Sequence, residues 1–380
     1  MPDLRTLLDE AAGNPPDLPD LVAIRQRGDV LRTRRRVRWA AGAVAAAVLV
    51  GGTALSVDQG HRDRLLVPAP QPSGSPSAVG VTNACPAAEP VADQAIAYTL
   101  TGPDLTTSVR VMTPGGQAGR CVVDTPGPDA HPAWSPDGRW LAFVGGDGRQ
   151  DDVYLVRSDG SDLTRLTSTA GRKQMPVWAP DGLSLGYTVT ADTGWPSIHV
   201  VGRDGLVDRV VLREQVGVMA WLQDWSPDGQ TLLFTRDDSP EGGHIALWAM
   251  SPSGAEQRLL RAEDGDVGSG VRYSPDGRQL AFQADVGGGC VYRSDPLVKR
   301  LTRITAGCTK GRSLSWSPDG TRIVIAGGSR SPTEAVVVGA DGHGQRTIST
   351  ARTVSDVDWR PTTTVETPGL AGESNSPASQ

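Results

Sequence analysis

The chain has 380 residues, of which 38% are hydrophobic and 5% aromatic, and it is rich in Gly (46) and Pro (29). Abundant turn residues over a modest apolar fraction favour many short strands over a helical core. The formal net charge is −6, and because residues 1–38 carry eight Arg against six acidic residues, the rest of the chain has a net charge of −8. Such an acidic body lacks the cationic surface that a phosphate backbone requires, which argues against nucleic acid as a partner.

Residues 39–57 form an apolar segment, WAAGAVAAAVLVGGTALSV, without a charged residue. As a helix, a segment of this length would span about 28 Å, close to the hydrocarbon core of a bilayer. Five Arg between positions 32 and 38 precede it, and such basic flanks stay in the cytoplasm. The sequence therefore predicts a single-pass membrane protein with an Arg-rich cytoplasmic tail, 1–38, and its main domain outside the cytoplasm. A cleaved signal peptide, with residues 54–56 at the cleavage site, is the alternative.

Two segments of low complexity flank the main domain. Residues 58–90 contain the stretch VPAPQPSGSPSAVG, and this Pro/Ser/Gly composition predicts an extended linker. Residues 362–380 contain few apolar residues, which predicts a disordered tail. The folded domain is thus expected within residues 91–361.

A repeated turn dominates this domain, because WSPDG or a close variant (WAPDG, YSPDG) occurs five times. The Asp residues of successive turns are 44, 47, 48 and 43 residues apart, at Asp137, Asp181, Asp228, Asp276 and Asp319. Pro presets the first corner of such a turn, Asp accepts bonds from nearby backbone amides, and Gly tolerates positive φ. The aromatic residue is expected to fill the gap between neighbouring units. A period in the forties is the length of one four-stranded blade of a β-propeller.

The segments around the repeats predict how the ring closes. Three strand-like segments, 96–100, 108–112 and 119–123, precede the first turn, and a lone one, 355–359, follows the last complete repeat. The first three correspond to the second, third and fourth strands of a blade, and the lone segment supplies the missing first strand. Pairing between the two ends of the chain would remove both sheet edges. The predicted fold is all-β, a six-bladed β-propeller of four-stranded blades closed by its N- and C-terminal strands, preceded by one transmembrane helix.

Between residues 94 and 361 the pattern W-S-P-D-G-x-x-[LI]-x-[FY], followed by a DG turn and an R-[LI]-[TL] strand, resembles the TolB-type propeller repeat. Ala179 and Tyr273 depart from it, at positions where Ser and Trp are usual. The resemblance implies the propeller fold, here in a bacterial, membrane-anchored form. It implies little about function, because propellers serve as binding modules, lyases, peptidase domains and sensors.

Enzymes that carry such propellers need a catalytic domain or a cluster of metal ligands, and this sequence is not expected to supply either. Peptidases of the prolyl oligopeptidase type have an α/β-hydrolase domain with a G-x-S-x-G nucleophile motif beside the propeller, and we expect neither in this sequence. Propeller lyases gather several His around a metal, whereas His131 is the one His of five expected beside an inner strand. We therefore expect a non-catalytic protein with neither a cofactor nor a metal.

The four Cys residues are expected to pair in an oxidising compartment, where an even number of Cys favours disulfides. Cys290 falls on the third strand of the fifth blade, and Cys308 follows its fourth strand. Cys121 falls on the fourth strand of the first blade, and Cys85 precedes that blade. We predict the disulfides Cys85–Cys121 and Cys290–Cys308, with one disulfide or free thiols as the alternatives.

The face of the ring opposite the PDG turns, called the loop face from here on, is the expected binding surface. Its loops vary in length and chemistry, as binding loops on a constant scaffold do. We expect a protein or small-molecule partner there, bound by charged and polar loop residues. The candidates are His131, Asp151, Asp152, Arg172, Lys173, Arg236, Asp237, Asp238, Arg272 and Arg330. A transmembrane sensor that relays ligand binding to the cytoplasmic tail is one alternative, and a propeller hydrolase or lyase is another.

Overall fold

The computed structural model describes residues 81–89, 91–102, 104–117, 119–146, 150–190, 195–214, 218–237, 245–261, 267, 270–284, 290–305, 313–327, 334–349 and 353–362. Regular structure in this part of the chain is entirely β, with 24 strands in six antiparallel sheets of four. The predicted all-β, six-bladed propeller is confirmed.

Blade 1 contains the last strand of the chain and the first three. From the channel outwards, its strands are β24 (Val354–Trp359), β1 (Ile96–Thr101), β2 (Thr107–Met112) and β3 (Arg120–Val123). Blade 2 consists of β4 (Ala130–Trp134), β5 (Trp140–Gly146), β6 (Asp151–Arg157) and β7 (Thr164–Arg165). Blade 3 consists of β8 (Arg172–Trp178), β9 (Ser184–Thr190), β10 (Ser197–Gly202) and β11 (Asp208–Arg213).

Blades 4 to 6 repeat this order. Blade 4 consists of β12 (Met219–Trp225), β13 (Leu232–Asp237), β14 (Ile245–Met250) and β15 (Arg258–Arg261). Blade 5 consists of β16 (Arg272–Tyr273), β17 (Leu280–Ala284), β18 (Cys290–Ser294) and β19 (Thr302–Arg303). Blade 6 consists of β20 (Ser313–Trp316), β21 (Arg322–Ala326), β22 (Ala335–Gly339) and β23 (Arg346–Ser349).

The ring closes through pairing of β24 with β1, from Ile96 opposite Trp359 to Leu100 opposite Val354. This pairing confirms the closure predicted from the sequence. Arg360 extends the closure, because its Nε donates to the carbonyl of Gly138 at 2.9 Å and its Nη1 to that of Val91 at 2.8 Å. The C-terminal strand therefore connects blade 1 to the first turn of blade 2.

The hydrophobic core consists of six layers, each between two neighbouring blades. Between blades 1 and 2, for example, Val109 and Val111 pack with Phe143 and Tyr154, all of them buried. Each sheet is therefore covered on both faces by its neighbours, which explains why the repeat must close into a ring.

The turn residues make the contacts expected of them. Asp137 accepts the backbone N–H of Arg139 at 3.0 Å, and the Asp of each of the other four turns accepts the equivalent N–H at 2.8–3.0 Å. Gly138 has a φ of 62° and lies so close to Arg360 that an added Cβ would be 2.9 Å from the Nε of that Arg. A side chain at Gly138 would thus disturb both the turn and the ring closure.

The turn aromatics lie between blades, as predicted. The indole Nε1 of Trp178 donates to the carbonyl of Ala133 in the preceding blade at 3.0 Å. The indole of Trp316 donates in the same way to the carbonyl of Arg272 at 3.2 Å. In these two repeats the aromatic residue thus supplies both apolar area and a polar contact at the blade boundary.

The predicted Cys85–Cys121 disulfide is present. It attaches the segment before blade 1 to β3, next to a bond from the Asn83 side chain to the carbonyl of Val122 at 2.9 Å. Cys290 is disulfide-bonded as well, but Cys308, its predicted partner, lies outside the described residues.

Several predicted segments also lie outside the described residues, namely the cytoplasmic tail 1–38, the apolar segment 39–57, residues 58–80 of the linker and residues 363–380 of the tail. Within the described ranges there is no helix of sufficient length and hydrophobicity to cross a membrane.

Candidate functional site

The inner strands of the six blades surround a central channel. In each inner strand, the residue directly before the turn aromatic lines this channel. These six residues are Ala133, Val177, Asp224, Arg272, Ser315 and Asp358. The two apolar residues come from adjacent blades, 2 and 3, and form an apolar wall. The other four come from blades 4, 5, 6 and 1 and form a continuous polar wall.

The channel is wide on the face that carries the WSPDG turns. This wide part, called the funnel from here on, has a volume of about 410 Å³, within the range of about 300–1,000 Å³ found for ligand sites. Besides the two walls, its lining includes the aromatic and proline residues of all six repeats. They are Trp134, Trp178, Trp225, Tyr273, Trp316 and Trp359, with Pro136, Pro180, Pro227, Pro275, Pro318 and Pro361.

Towards the loop face the channel narrows to a cavity of about 30 Å³. Four inner strands have a left-handed residue there, three positions before the turn aromatic: His131 (φ 52°), Met175 (φ 52°), Gly270 (φ 82°) and Asp356 (φ 46°). Positive φ is strained for residues other than Gly and is concentrated at functional sites. The strained positions direct a His and an Asp into the narrow end of the channel.

His131 and Asp356 form a pair across this end, with 3.2 Å between Nδ1 and Oδ1. Burial lowers the pKa of His131, but the Asp356 carboxylate outweighs burial, so that the pKa lies above its ordinary value. Burial also raises the pKa of Asp356, and the charge and hydrogen bond of His131 bring it below the usual range. The pair connects β4 to the closing strand β24.

The two carboxylates of the polar wall connect neighbouring blades. Asp358 accepts the backbone N–H of Trp134 at 2.7 Å and the hydroxyl of Ser315 at 2.9 Å. Asp224 accepts the backbone N–H of Tyr273 at 2.6 Å. Burial raises the pKa of Asp224 to about 6 and also raises that of Asp358. Both acids are thus engaged with backbone groups, and the pKa of each lies above that of an exposed Asp.

Arg272 is the cation of the polar wall and lines both the funnel and the narrow cavity. Its Nη1 donates to the carbonyl of Val271 at 3.0 Å and to that of Gln223. These are the hydrogen bonds that its side chain makes within the described part of the chain, so that Nε and Nη2 remain available to a ligand. A guanidinium with two uncommitted nitrogen donors therefore faces the channel.

Four of the predicted binding residues lie together between blades 2 and 3, where they pair with one another. The Nε of Arg172 is 2.9 Å from Asp151, and the Nζ of Lys173 is 2.8 Å from Asp152. The side chains of Lys173 and Asp152 are 0% and 1% exposed. The inner pair thus holds two blades together and is closed to a ligand in this structure.

The remaining candidates are separated. Arg236 lies 3.3 Å from Glu214 and stacks on Trp248, and Asp237 is the last residue of β13. Asp238 and Arg330 lie outside the described residues. Of the ten predicted residues, His131 and Arg272 are therefore the two that the structure brings into the channel.

Comparison with known proteins agrees with this architecture. The family model described as the TolB beta propeller domain matches residues 90–266, which include the first three WSPDG-type turns. Over these residues the chain is similar to that domain, and the ring of six blades is called the TolB-like propeller from here on.

The TolB-like propeller is similar to TolB from Acinetobacter baumannii, with 22% identity and a TM-score of 0.61 over 71% of this chain and 67% of that protein. It is also similar to a chain of the Nidogen/Laminin complex, with 11% identity and a TM-score of 0.58 over 70% and 98% of the two chains. At these identities the likeness shows a shared fold.

Among curated proteins, the TolB-like propeller is similar to the uncharacterized peptidase YuxL from Bacillus subtilis strain 168. The two are 28% identical over 159 residues, which are 41% of this chain and 22% of YuxL. The match thus spans about a fifth of the length of that relative, and the activity of the whole relative does not follow from it.

Sequence reasoning missed three acids of the TolB-like propeller channel, Asp224, Asp356 and Asp358. The position directly before the turn aromatic would have identified two of them once the repeats were aligned, because the first strand of each blade lines the channel. Within the described residues no three His, Cys, Asp or Glu side chains are grouped so as to hold a metal ion.

Blade 3 contains a second polar arrangement. Ser197 Oγ lies 3.1 Å from His199 Nε2, His199 Nδ1 lies 3.1 Å from Asp208, and the hydroxyl of Tyr187 donates to the same Asp at 2.6 Å. Residues 182–186 (GLSLG) also match G-x-S-x-G, the motif of hydrolase nucleophiles. In the structure that match is a PDG turn followed by β9, not the strand–turn–helix that the motif requires.

Proposed function

We propose that the protein is a non-catalytic binding platform whose propeller holds a segment of a partner protein in the funnel. The funnel itself carries the proposal, because about 410 Å³ are lined by six aromatic side chains, eight prolines and an Arg with uncommitted donors. Aromatic side chains provide large contact areas at a low entropic cost. One structural relative comes from a complex of two proteins, Nidogen/Laminin, which agrees with a protein partner.

This proposal favours the face of the WSPDG turns over the loop face that the sequence suggested. On the loop face, Asp151 pairs with Arg172 and Asp152 with Lys173. A charge that is already paired must lose its partner before it can bind a ligand, and breaking a buried pair is unfavourable. The loop face is retained as a proposed second contact surface.

We further propose that the platform is tethered by residues 39–57 and lies outside the cytoplasm. The Arg-rich stretch before this segment supports that orientation. The Cys85–Cys121 disulfide also supports it, because disulfides persist in oxidising compartments and are rare in the cytoplasm.

Photo-crosslinking from the two faces tests the binding site. The full chain would carry p-benzoylphenylalanine at Thr362, an exposed residue that lines the funnel, or at Leu105, which is 82% exposed in the loop between β1 and β2 on the loop face. We expect one protein to be crosslinked in cells of the native host from position 362 and not from position 105. Crosslinks from position 105 alone would contradict the proposal.

A second candidate function, hydrolysis of an ester or amide, is favoured by the arrangement at Ser197. In it, Ser197 would attack the carbonyl, His199 would accept the proton, and Asp208 would orient the imidazole. YuxL is named as a peptidase, which agrees with this alternative. Labelling of the full chain by a fluorophosphonate probe, lost in Ser197→Ala, would support hydrolysis. If the wild-type chain is not labelled, the candidate is removed.

A further inference from the structure

Arg272 differs in kind from the five residues that occupy the equivalent position in the other blades. Two of those are the apolar Ala133 and Val177, and the other three are Asp224, Ser315 and Asp358. Arg272 is thus the one cation in this ring of six. It lies in the middle of the polar wall, at the boundary between the funnel and the narrow cavity.

The neighbouring acids do not use the donors of Arg272. The oxygens of Asp358 accept from Trp134 and Ser315, at 2.7 and 2.9 Å, and one oxygen of Asp224 accepts from Tyr273 at 2.6 Å. Within the described part of the chain, Arg272 forms no ion pair within 4.0 Å. Its own contacts, through Nη1 to two backbone carbonyls, fix the guanidinium in place and leave Nε and Nη2 without a hydrogen bond to the described part of the chain.

We infer that the funnel binds a peptide segment whose carboxylate, from an Asp or Glu side chain or from a chain end, forms a paired hydrogen bond with Nε and Nη2 of Arg272. This inference rests on the proposed function and specifies the chemistry of the partner. A guanidinium edge matches the two oxygens of a carboxylate in one plane. The aromatic and proline lining would contact the residues around that carboxylate.

Two observations favour a carboxylate-bearing peptide over other anions. Asp224 is next to Arg272 in the ring, and Asp358 is two positions away on the other side, so a doubly charged phosphate meets more repulsion there than a singly charged carboxylate. A volume of about 410 Å³ far exceeds that of a small organic acid, which would leave the aromatic lining without contacts. A peptide segment of several residues can contact both the polar and the apolar wall.

Synthetic peptide libraries provide the test, with the full chain purified in detergent. The probes are random eight-residue peptides with acetylated N-termini, one library with amidated C-termini and one with free C-termini. Peptides that bind the wild type but not Ala133→Trp, which fills the funnel, are assigned to the funnel. We expect Asp or Glu to be enriched among the funnel-bound peptides of the amidated library if a side chain supplies the carboxylate. We expect preference for the free library if the chain end supplies it.

Matched variants then test Arg272 itself by fluorescence anisotropy. We expect Arg272→Gln to lower the affinity for the selected peptides about tenfold or more. Arg272→Lys, which keeps the charge without the planar edge, should lower the affinity less. Arg278→Gln is the control, because Arg278 belongs to the same blade and its side chain is 86% exposed; we expect no change. If Arg272→Gln does not fold, Arg272→Lys decides, and unchanged affinity in that variant overturns the inference.

The outcomes separate the inference from the proposed function. Peptides that Ala133→Trp excludes, but that show neither acidic residues nor dependence on Arg272, overturn the inference and leave the funnel as a binding site. If no library peptide binds in a manner that Ala133→Trp blocks, both the inference and the proposed funnel site fail.

Discussion

At the scale of single residues, buried carboxylates connect the blades of this propeller. An inner strand has a neighbouring strand on one side only, so its backbone N–H groups on the channel side need other acceptors. Asp358 and Asp224 supply them across blade boundaries, to Trp134 and Tyr273. The cost of burying these acids is offset by hydrogen bonds to groups that would otherwise be unpaired.

Substitution of Asp358 tests this role. In Asp358→Asn an amide nitrogen replaces one of the two accepting oxygens, so that the bond from Trp134 or that from Ser315 is lost. We expect the free energy of unfolding to fall by roughly 1–3 kcal/mol, measured by urea denaturation at pH 8. Glu89→Gln, at an exposed position, is the control and should change stability by less than about 0.5 kcal/mol. Equal stability of the two variants would contradict the assignment.

Asp129 makes stability depend on pH. It is fully buried, and burial raises its pKa to about 7 although Thr125 donates to both oxygens. Since the folded pKa exceeds the unfolded one, the stabilisation is complete below about pH 4 and is lost as the pH rises through about 7. We expect Asp129→Asn, which resembles the protonated acid, to be more stable than the wild type at pH 8 by on the order of 3 kcal/mol. The two should be similar at pH 4, and parallel pH profiles of their melting temperatures would refute this account.

At the scale of structural elements, contacts of the outermost strands also connect blades. In three of them an Arg side chain donates to a carbonyl in a turn of the next blade: Arg120 to Ser158 at 2.9 Å, Arg209 to Pro252 at 3.0 Å and Arg346 to Pro114 at 3.0 Å. In these three blades an Arg of the fourth strand therefore has a structural role at the rim. These Arg are exposed or partly exposed, so each contact contributes modestly.

The closing strand is held more strongly, through Arg360. This side chain is buried, and it donates to the carbonyls of Val91 and Gly138 and to Asp93 at 2.6 to 2.9 Å. We expect Arg360→Ala to lower the free energy of unfolding by roughly 2–4 kcal/mol, because it leaves the buried carbonyls of Val91 and Gly138 unpaired. Arg139→Ala, an exposed position on the same turn, should have little effect. Thermal unfolding that is identical in the two variants would show that Arg360 does not secure the closure.

At the scale of the whole molecule, the Cys85–Cys121 disulfide makes the stability of the fold depend on the compartment of the protein. Cys85 and Cys121 are 36 residues apart, and removal of such a bond costs about 2–4 kcal/mol. We expect Cys85→Ser with Cys121→Ser to lower the melting temperature. In native cells, a thiol reagent should label neither Cys of the wild type before reduction, whereas a chain without residues 1–57, kept in the cytoplasm, should be labelled. Labelling of the wild type before reduction would contradict the proposed location.

The sequence predicts the propeller scaffold well, because the repeated turns and strand segments can be recognised in it directly. The turn spacing predicts the six blades, and the unmatched segments at 96–123 and 355–359 predict the pairing of β24 with β1. The Cys85–Cys121 pairing also followed from strand positions.

The site was harder to predict because it depends on residues that differ between repeats. Asp224, Arg272 and Asp358 stand at the same position of three different repeats. The closed ring brings them to one channel. The pairing of His131 with Asp356 also depends on left-handed residues in two inner strands, which no spacing reveals. Cross-strand pairing of loop charges, such as Lys173 with Asp152, likewise depends on how neighbouring blades pack.

Capture of the partner by funnel-blocked chains tests the central claim most directly. The wild-type chain, Ala133→Trp and Leu105→Trp would each be recovered from the envelope of the native host, and the co-purified partner quantified. We expect Ala133→Trp to lose the partner and Leu105→Trp, on the loop face, to retain it at the wild-type level. Retention by Ala133→Trp together with loss by Leu105→Trp would place binding on the loop face and contradict the account.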